Sequence, residues 1–376
     1  MQAAGSLLTN KYSEGYPGAR YYEGQSNIDQ IETLAIKRAC ELFGAEHANV
    51  QPYSGSPANL AAMFALLEPG DTIMGLNLSE GGHLTHGFKL NFSAKFFKSV
   101  AYTLDPKTET LDYDQIAELA KKHQPKMIIA GYTAYPREVD FAKFRQIADS
   151  VGAYLLADIS HINALVIAGL HSNPVPYADV VTTTTHKALR GPRGGLILCK
   201  KEHATKIDKA IMPGLQGGPH NHITAAKAVA FKLAQQPEFT EYAKQIVANA
   251  KALEESLIEQ NVRLVSGGTD THLLIIDAMQ SFNVNGRELA QALNQVGIVC
   301  NCNTIPFDPN PPFKPSGIRI GTPAITTRGL TPKDMPLIAN WIVQTAKNID
   351  NQSQLEHIHT QVLDFLKTKP LDSNFA

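Results

Sequence analysis

Apolar positions along the chain follow two different periods. Residues 27–43 place Ile31, Leu34, Ala35, Ala39 and Leu42 at the spacing of an amphipathic helix. Short apolar runs at 72–76, 99–104, 127–131, 154–158, 180–185 and 195–199 read as buried strands, and helical patterns at 113–123 and 141–151 fall between them. A short strand at 49–52 leads through Tyr53-Ser54-Gly55-Ser56-Pro57 into a helix over 58–67, with Ser56 as N-cap and Pro57 at the first helical position. Alternation at these lengths predicts an α/β fold whose largely parallel sheet is covered on both faces.

The pattern changes in the second half. A Gly-rich turn at 80–83 and a helix-like stretch to residue 88 belong to the first part, as does a turn-rich segment at 212–219. Long helices are expected at 223–235 and 239–261, and a domain boundary at Gln236-Pro237 separates a large domain, 1–236, from a smaller one, 237–376. Strands at 272–277 and 298–300, helices at 286–296 and 334–349 and a Pro-rich loop at 306–315 make the smaller domain α+β. Residues 7–24, dense in Tyr, Gly and charge but without periodicity, read as a loop that carries function.

Composition narrows the function classes. A chain of 376 residues with a 43% apolar fraction suits two globular domains. With 34 Lys and Arg against 35 Asp and Glu, nothing favours nucleic acid or an anionic membrane surface, so small-molecule substrates are expected. The four cysteines, Cys40, Cys199, Cys300 and Cys302, lie in no zinc-ligand spacing, and no metal site is expected. They read as reduced thiols of a cytoplasmic protein. No apolar run approaches the ~20 residues of a membrane span, and no basic-then-apolar leader opens the sequence.

Candidate chemistry gathers at the strand ends. Lys187 ends the β-branched run 180–185, flanked by hydroxyls and His186. A lysine so placed could lose its proton and form a Schiff base with a carbonyl cofactor, although an ordinary exposed lysine fits the position too. Asp158 ends the run LLAD, where a buried carboxylate needs a cationic partner or hydrogen-bond donors. Together they match what pyridoxal phosphate requires: an amine for its aldehyde and an acid that keeps its ring nitrogen charged. The turn at Ser54 to Ser56 would then cradle the phosphate, His83 could lie against the ring, and Arg319 could grip a carboxylate bidentately.

The stretches TNKYSEGYPGARYY, GGHLTHG, VVTTTTHKALRGPRGG, PGLQGGP and SGIRIGTPAITTRG, in this order across essentially the whole chain, resemble the serine hydroxymethyltransferase family. The resemblance implies a fold-type I pyridoxal-phosphate-dependent transferase with a mostly parallel seven-stranded sheet and a smaller C-terminal α+β domain. It implies that Lys187 carries the cofactor as a Schiff base, that Asp158 and His161 contact the pyridine nitrogen and the ring hydroxyl region, and that His83 stacks on the ring. Ser54, Gly55 and Ser56 would bind the phosphate, with Thr133 near phosphate or ring and Thr184 and His186 flanking the lysine. Tyr12 and Gly218 would reach the phosphate from the partner chain of a homodimer, with pairing into a tetramer left open. Glu14 would be the acid/base near the substrate hydroxyl and folate, Tyr22 would lie beside the substrate, Arg319 would hold its carboxylate and Asn303 would face the pterin. The implied reaction interconverts serine plus tetrahydrofolate and glycine plus 5,10-methylenetetrahydrofolate.

Some positions depart from the family pattern. Tyr53 stands where histidine is usual, Pro57 replaces a glutamine, Glu80 a histidine, Thr133 a serine and Cys302 a lysine. The family's N-terminal arm, with a serine that helps hold the substrate carboxylate, precedes the tyrosine-rich loop, whereas this sequence opens close to that loop; a longer native start or a shortened copy would each account for that. A folate-independent β-hydroxy-amino-acid aldolase, a transferase acting on α-substituted serines and a non-catalytic homologue are the alternatives.

Overall fold

The structure is a computed structural model and describes residues 1–369. The last seven residues assigned from sequence to the smaller domain lie outside the described residues. Near the start, β1 (Gly15–Tyr16) and β2 (Ala19–Arg20) form a small antiparallel hairpin, so the tyrosine-rich segment is less irregular than its sequence suggests. Helix α1 (Ser26–Phe43) follows, burying Ile28, Ala35, Ala39 and Phe43 along one face.

The main sheet has seven strands: β3 (His47–Asn49), β4 (Thr72–Leu76), β5 (Lys98–Tyr102), β6 (Met127–Gly131), β7 (Tyr154–Asp158), β8 (Val180–Thr184) and β9 (Gly195–Cys199). Their order is β3-β9-β8-β7-β6-β4-β5. Pairings from β8 through β7, β6 and β4 to β5 are parallel, and β9 runs antiparallel to both its neighbours. Every residue of β6, β8 and β9 is buried, as expected of central strands covered on both faces. The parallel strands all end on one side, which brings Gly131, Asp158 and Thr184 to a common edge, the usual place for a ligand in such sheets.

Several sequence boundaries are corrected. The first strand is His47–Asn49 rather than 49–52, and its hydrogen bonds come from β9. Helix α2 (Gly55–Leu66) starts three residues earlier than expected, with Ser54 rather than Ser56 as N-cap, so Pro57 is the third helical residue instead of the first. The stretch before residue 88 is only a 3-10 turn, Leu84–His86.

The smaller unit holds a three-stranded antiparallel sheet in which β12 (Gly317–Gly321) lies between β10 (Leu273–Asp277) and β11 (Asn301–Asn303). The strand expected at 298–300 thus forms three residues later, and Arg319 sits mid-strand, opposite Ile275 and Asn301, instead of at a strand start. A helix not among those expected, Gln352–Lys367, buries Leu355, Ile358 and Val362. One apolar core packs α2 on one face of the large sheet, with Ala58, Met63 and Ile73; of two further cores, one lies on the opposite face of that sheet and one around the small sheet. The 23-residue helix Pro237–Glu259 serves the latter two, giving Phe239 to the core on the large sheet and Ala250, Leu253 and Leu257 to that around the small one. Among the described residues no helix is long and apolar enough to cross a membrane.

Candidate active site

A cavity of about 220 Å³ opens at the common strand edge, lined by Ser54, Gly55, Ser56 and Thr184 together with His83, Tyr132, Thr133, Asp158, Ser160 and His161. His186, Lys187 and Arg193 complete it. A second cavity of about 380 Å³ shares His161 and Lys187 and extends to Arg190, Tyr242, His272 and Arg319. Lys187 therefore stands where the two meet.

Lys187 begins the 3-10 turn Lys187–Leu189 directly after β8, with a left-handed backbone, φ 63°, that favours glycine over side-chain-bearing residues. Its side chain is open to the cavities, yet enough protein surrounds the amine that burial lowers its pKa. Asp158 opposes that shift, while the charges of Arg319 and Arg193 add to it. Deprotonation is what a lysine needs to act as a nucleophile.

Asp158 is held through both of its carboxylate oxygens. Oδ2 accepts from Asn59 Nδ2 at 2.8 Å and lies 3.2 Å from His86 Nε2, and Oδ1 accepts from the Ser160 amide at 3.1 Å and its hydroxyl at 2.6 Å. Burial would raise its pKa, but the hydrogen bond and charge of His86, followed by Asn59 and Ser160, hold the carboxyl far below the usual range. Asp158 is thus a fixed anion at the cavity wall.

These donors come from different elements. Asn59 sits one turn into α2, donates also to Thr85 Oγ1 at 2.8 Å, and accepts from Thr182 Oγ1 on β8 at 2.5 Å. Thr85 in turn holds His83, its amide donating to Nδ1 at 3.2 Å and its hydroxyl 2.7 Å away. With Nδ1 accepting, the His83 proton belongs on Nε2. Burial first, and then the charge of His86, bring His83 down to about 4, so the ring is neutral near pH 7. His83, His86 and Asp158 keep potential ligand atoms within 4.8 Å of one another, but His86 Nε2 and His83 Nδ1 are engaged in these hydrogen bonds, which is a positioning chain and not a vacant metal set.

The turn at the start of α2 leaves the Gly55 and Ser56 amides without intrahelical acceptors, and Ser54 makes no side-chain cap bond. A Cβ at Gly55 would stand 2.8 Å from Thr184 Cγ2, so only glycine lets the turn approach the β8 end this closely. Across the cavity, the buried Thr133 Oγ1 and His186 Nδ1 have no partner among the described residues. The free amides and hydroxyls of the turn, a fixed carboxylate and a lysine, all lining one cavity, fit pyridoxal phosphate, whose phosphate, pyridinium and aldehyde need those three groups.

Arg319 borders the second cavity. Nη1 donates to Thr133 O at 2.6 Å and Nε to Asn301 Oδ1 at 3.1 Å, which fixes the guanidinium plane. Beside it the rings of His161 and His272 lie nearly parallel, 14° apart with centroids 6.0 Å apart. Burial, followed by nearby positive charges, lowers both, His272 to about 3.

Other residues expected at the site lie elsewhere in the chain. The Tyr12 ring covers Gly218, where a Cβ would come 3.0 Å from it, and stands 5.9 Å from Tyr22. Glu14 Oε1 faces Gly217. Tyr53, next to the turn, donates its hydroxyl to Gly218 O at 2.9 Å and stacks on His220 at 4.2 Å. None of Tyr12, Glu14, Tyr22 or Gly218 lines either cavity of its own chain. Asn303, the last residue of β11, donates to the Thr304 carbonyl and is also outside both linings. Conversely, Asn59, His86, Ser160 and Arg193 were not singled out from sequence. Asn59 and His86 each lie three residues beyond a residue that was, Ser56 and His83, so the helical or turn spacing was the available signal.

A mostly parallel, doubly covered sheet with a lysine and a carboxylate on adjacent strand ends, facing an amide-rich turn, defines a fold-type I pyridoxal-phosphate-dependent enzyme. A family model described as serine hydroxymethyltransferase matches residues 1–342. The chain is 57% identical over 371 residues to a serine hydroxymethyltransferase of Acidobacterium capsulatum, covering 99% of this chain and 87% of that protein. It is 56% identical over 370 residues to one of Sorangium cellulosum, covering 98% and 87%. The chain belongs to the serine hydroxymethyltransferase family, and it is a transferase of hydroxymethyl groups.

Proposed function

We propose that the cavity around Lys187 binds pyridoxal phosphate and, with tetrahydrofolate as co-substrate, interconverts serine and glycine in the cytoplasm. The observation that carries this reading is that Lys187, the Asp158 carboxylate and the residues at the start of α2 line one cavity. When bound, the cofactor supplies an electron sink for the bond broken at the substrate α-carbon. Lys187 would hold its aldehyde, Asp158 its ring nitrogen, and Ser54, Gly55 and Ser56 its phosphate, with Thr133, Thr184 and His186 closing the walls.

Arg319 binds the amino-acid carboxylate. Its guanidinium, already fixed by Thr133 and Asn301, would orient the bound amino acid through that carboxylate. His161 would contact the ring hydroxyl region, and His83, neutral near pH 7, would lie against the ring. Glu14 takes up the proton of the substrate hydroxyl and returns it during transfer to folate, Tyr22 lies beside the substrate, and Asn303 faces the pterin. Tyr12, Glu14, Tyr22 and Gly218 are supplied by the partner of a homodimer, which accounts for the exposure of the two tyrosines, Tyr12 60% and Tyr22 55%.

The test is formation of 5,10-methylenetetrahydrofolate from serine and tetrahydrofolate. Product should form with the unmodified chain, and Lys187→Ala should abolish turnover and leave the cofactor easily dialysed away. No folate product from serine, together with brisk cleavage of threonine, would overturn the reading.

A further inference from the structure

Lys227 lies in the middle of the helix Asn221–Ala234 and is only 2% exposed. Among the described residues its ammonium hydrogen-bonds only to backbone carbonyls: Val50 O at 2.5 Å, Gly195 O at 2.7 Å and Pro52 O at 3.2 Å. Three donors meet three acceptors, which is the full complement of an ammonium group. A buried charge is costly without such satisfaction, so this arrangement calls for an explanation in what the carbonyls hold.

The three carbonyls belong to two segments. Val50 and Pro52 lead from β3 into the turn Ser54 to Ser56, and Gly195 opens β9 opposite Thr184, the end of the strand that delivers Lys187. The segments touch closely: the Gly195 amide donates to Pro52 O at 2.9 Å, and a Cβ at Gly195 would fall 2.4 Å from Ser54 O. The ammonium spans this junction from below. Gly194 leaves it room, since a Cβ there would fall 2.5 Å from Lys227 Cε.

We propose that Lys227 is a positioning residue whose ammonium acts as a tethered cation, holding the Ser54–Gly55–Ser56 turn in register with the strand end that carries Lys187. The carbonyl cage should accept a free small cation, ammonium or potassium, once the side chain is shortened. Burial lowers Lys227 to about 7, against the opposing charge of Glu32. Glu32 is tied to the same place, because Gln51, between Val50 and Pro52, donates to its Oε1 at 2.7 Å, while Arg20 pairs with its Oε2 at 2.6 Å. This inference rests on reading the turn as the phosphate site.

The experiment measures pyridoxal phosphate affinity, from the absorbance of the bound cofactor, for the unmodified chain, Lys227→Met and Lys227→Ala. Buffers contain ammonium, potassium or tetramethylammonium as the cation. Lys227→Met, which keeps length but cannot donate, should weaken binding roughly tenfold or more in every buffer. Lys227→Ala should show a similar loss in tetramethylammonium and regain affinity in ammonium or potassium. A purely structural lysine would lower the melting temperature of the cofactor-free protein without changing affinity or distinguishing the cations. Should Lys227→Met not fold, Gly194→Ala displaces the ammonium from the opposite side and should show the same loss. Unchanged affinity in any folded variant overturns the inference alone. Failure of the unmodified chain to bind pyridoxal phosphate overturns the reading of the turn, and the inference with it.

Discussion

His83 owes its properties to its neighbours. Thr85 holds Nδ1, and burial keeps the ring at about 4 instead of near 6.5. Between those values the unfolded chain binds a proton that the folded one does not, so stability falls as pH is lowered from 6.5 towards 4. The full shift corresponds to about 3 kcal/mol. His161 and His272 shift in the same direction, so His83→Phe should reduce the loss of cofactor-free stability across this window without removing it. Chemical denaturation at several pH values checks this, and an unchanged slope in the variant would contradict the assignment. Lys187, Asp158 and His83 were legible in the sequence because each ends a strand or follows a glycine turn. Asn59, His86 and Ser160 were not, because what gives them a role is a hydrogen bond to a residue 99, 72 or 2 positions away.

At the level of elements, α2 shows how a helix start is chosen by its surroundings. Local preference favours Ser56 as cap and Pro57 at the first position. The chain starts the helix at Gly55 instead, where packing against Thr184 admits no side chain. That choice aims Asn59 at both Asp158 and Thr182. Asn59→Ala would leave Asp158 Oδ2 one donor short and the Thr182 hydroxyl without its acceptor, a loss of about 1–3 kcal/mol for buried groups. Denaturant unfolding should register that cost, and cofactor affinity should fall with it. The strand β11 makes a similar point. Apolar residues at 298–300 suggested a strand, yet Val299 is 83% exposed, and the ladder forms at Asn301–Asn303 because those residues meet Gly317 to Arg319 in register. Cross-strand partners fix such short strands more firmly than their own composition does.

On the scale of the whole molecule, two cores joined by the helix Pro237–Glu259 hold Arg319 of the smaller sheet against the Thr133 carbonyl in the loop after β6. The cluster of Tyr12, Glu14, Tyr22 and Gly218 lines neither of the two cavities at Lys187 of its own chain, which fits a site shared with a partner. Lys187→Ala and Glu14→Ala, each inactive alone, should therefore regain activity when unfolded together and refolded. About a quarter of all sites would be intact if subunits pair at random about a two-fold axis, and steady-state turnover of the mixture measures this. Absence of any recovery would refute sharing. By itself the sequence determined the α/β class, the central strands and the lysine, carboxylate and glycine turn at their ends, because buried strands must be apolar and reactive groups interrupt that pattern visibly. Only the tertiary structure decided where α2 begins, which donors hold Asp158, how Arg319 is oriented and what Lys227 binds. Those depend on distances between elements far apart in the chain, and no local pattern of residues encodes such distances.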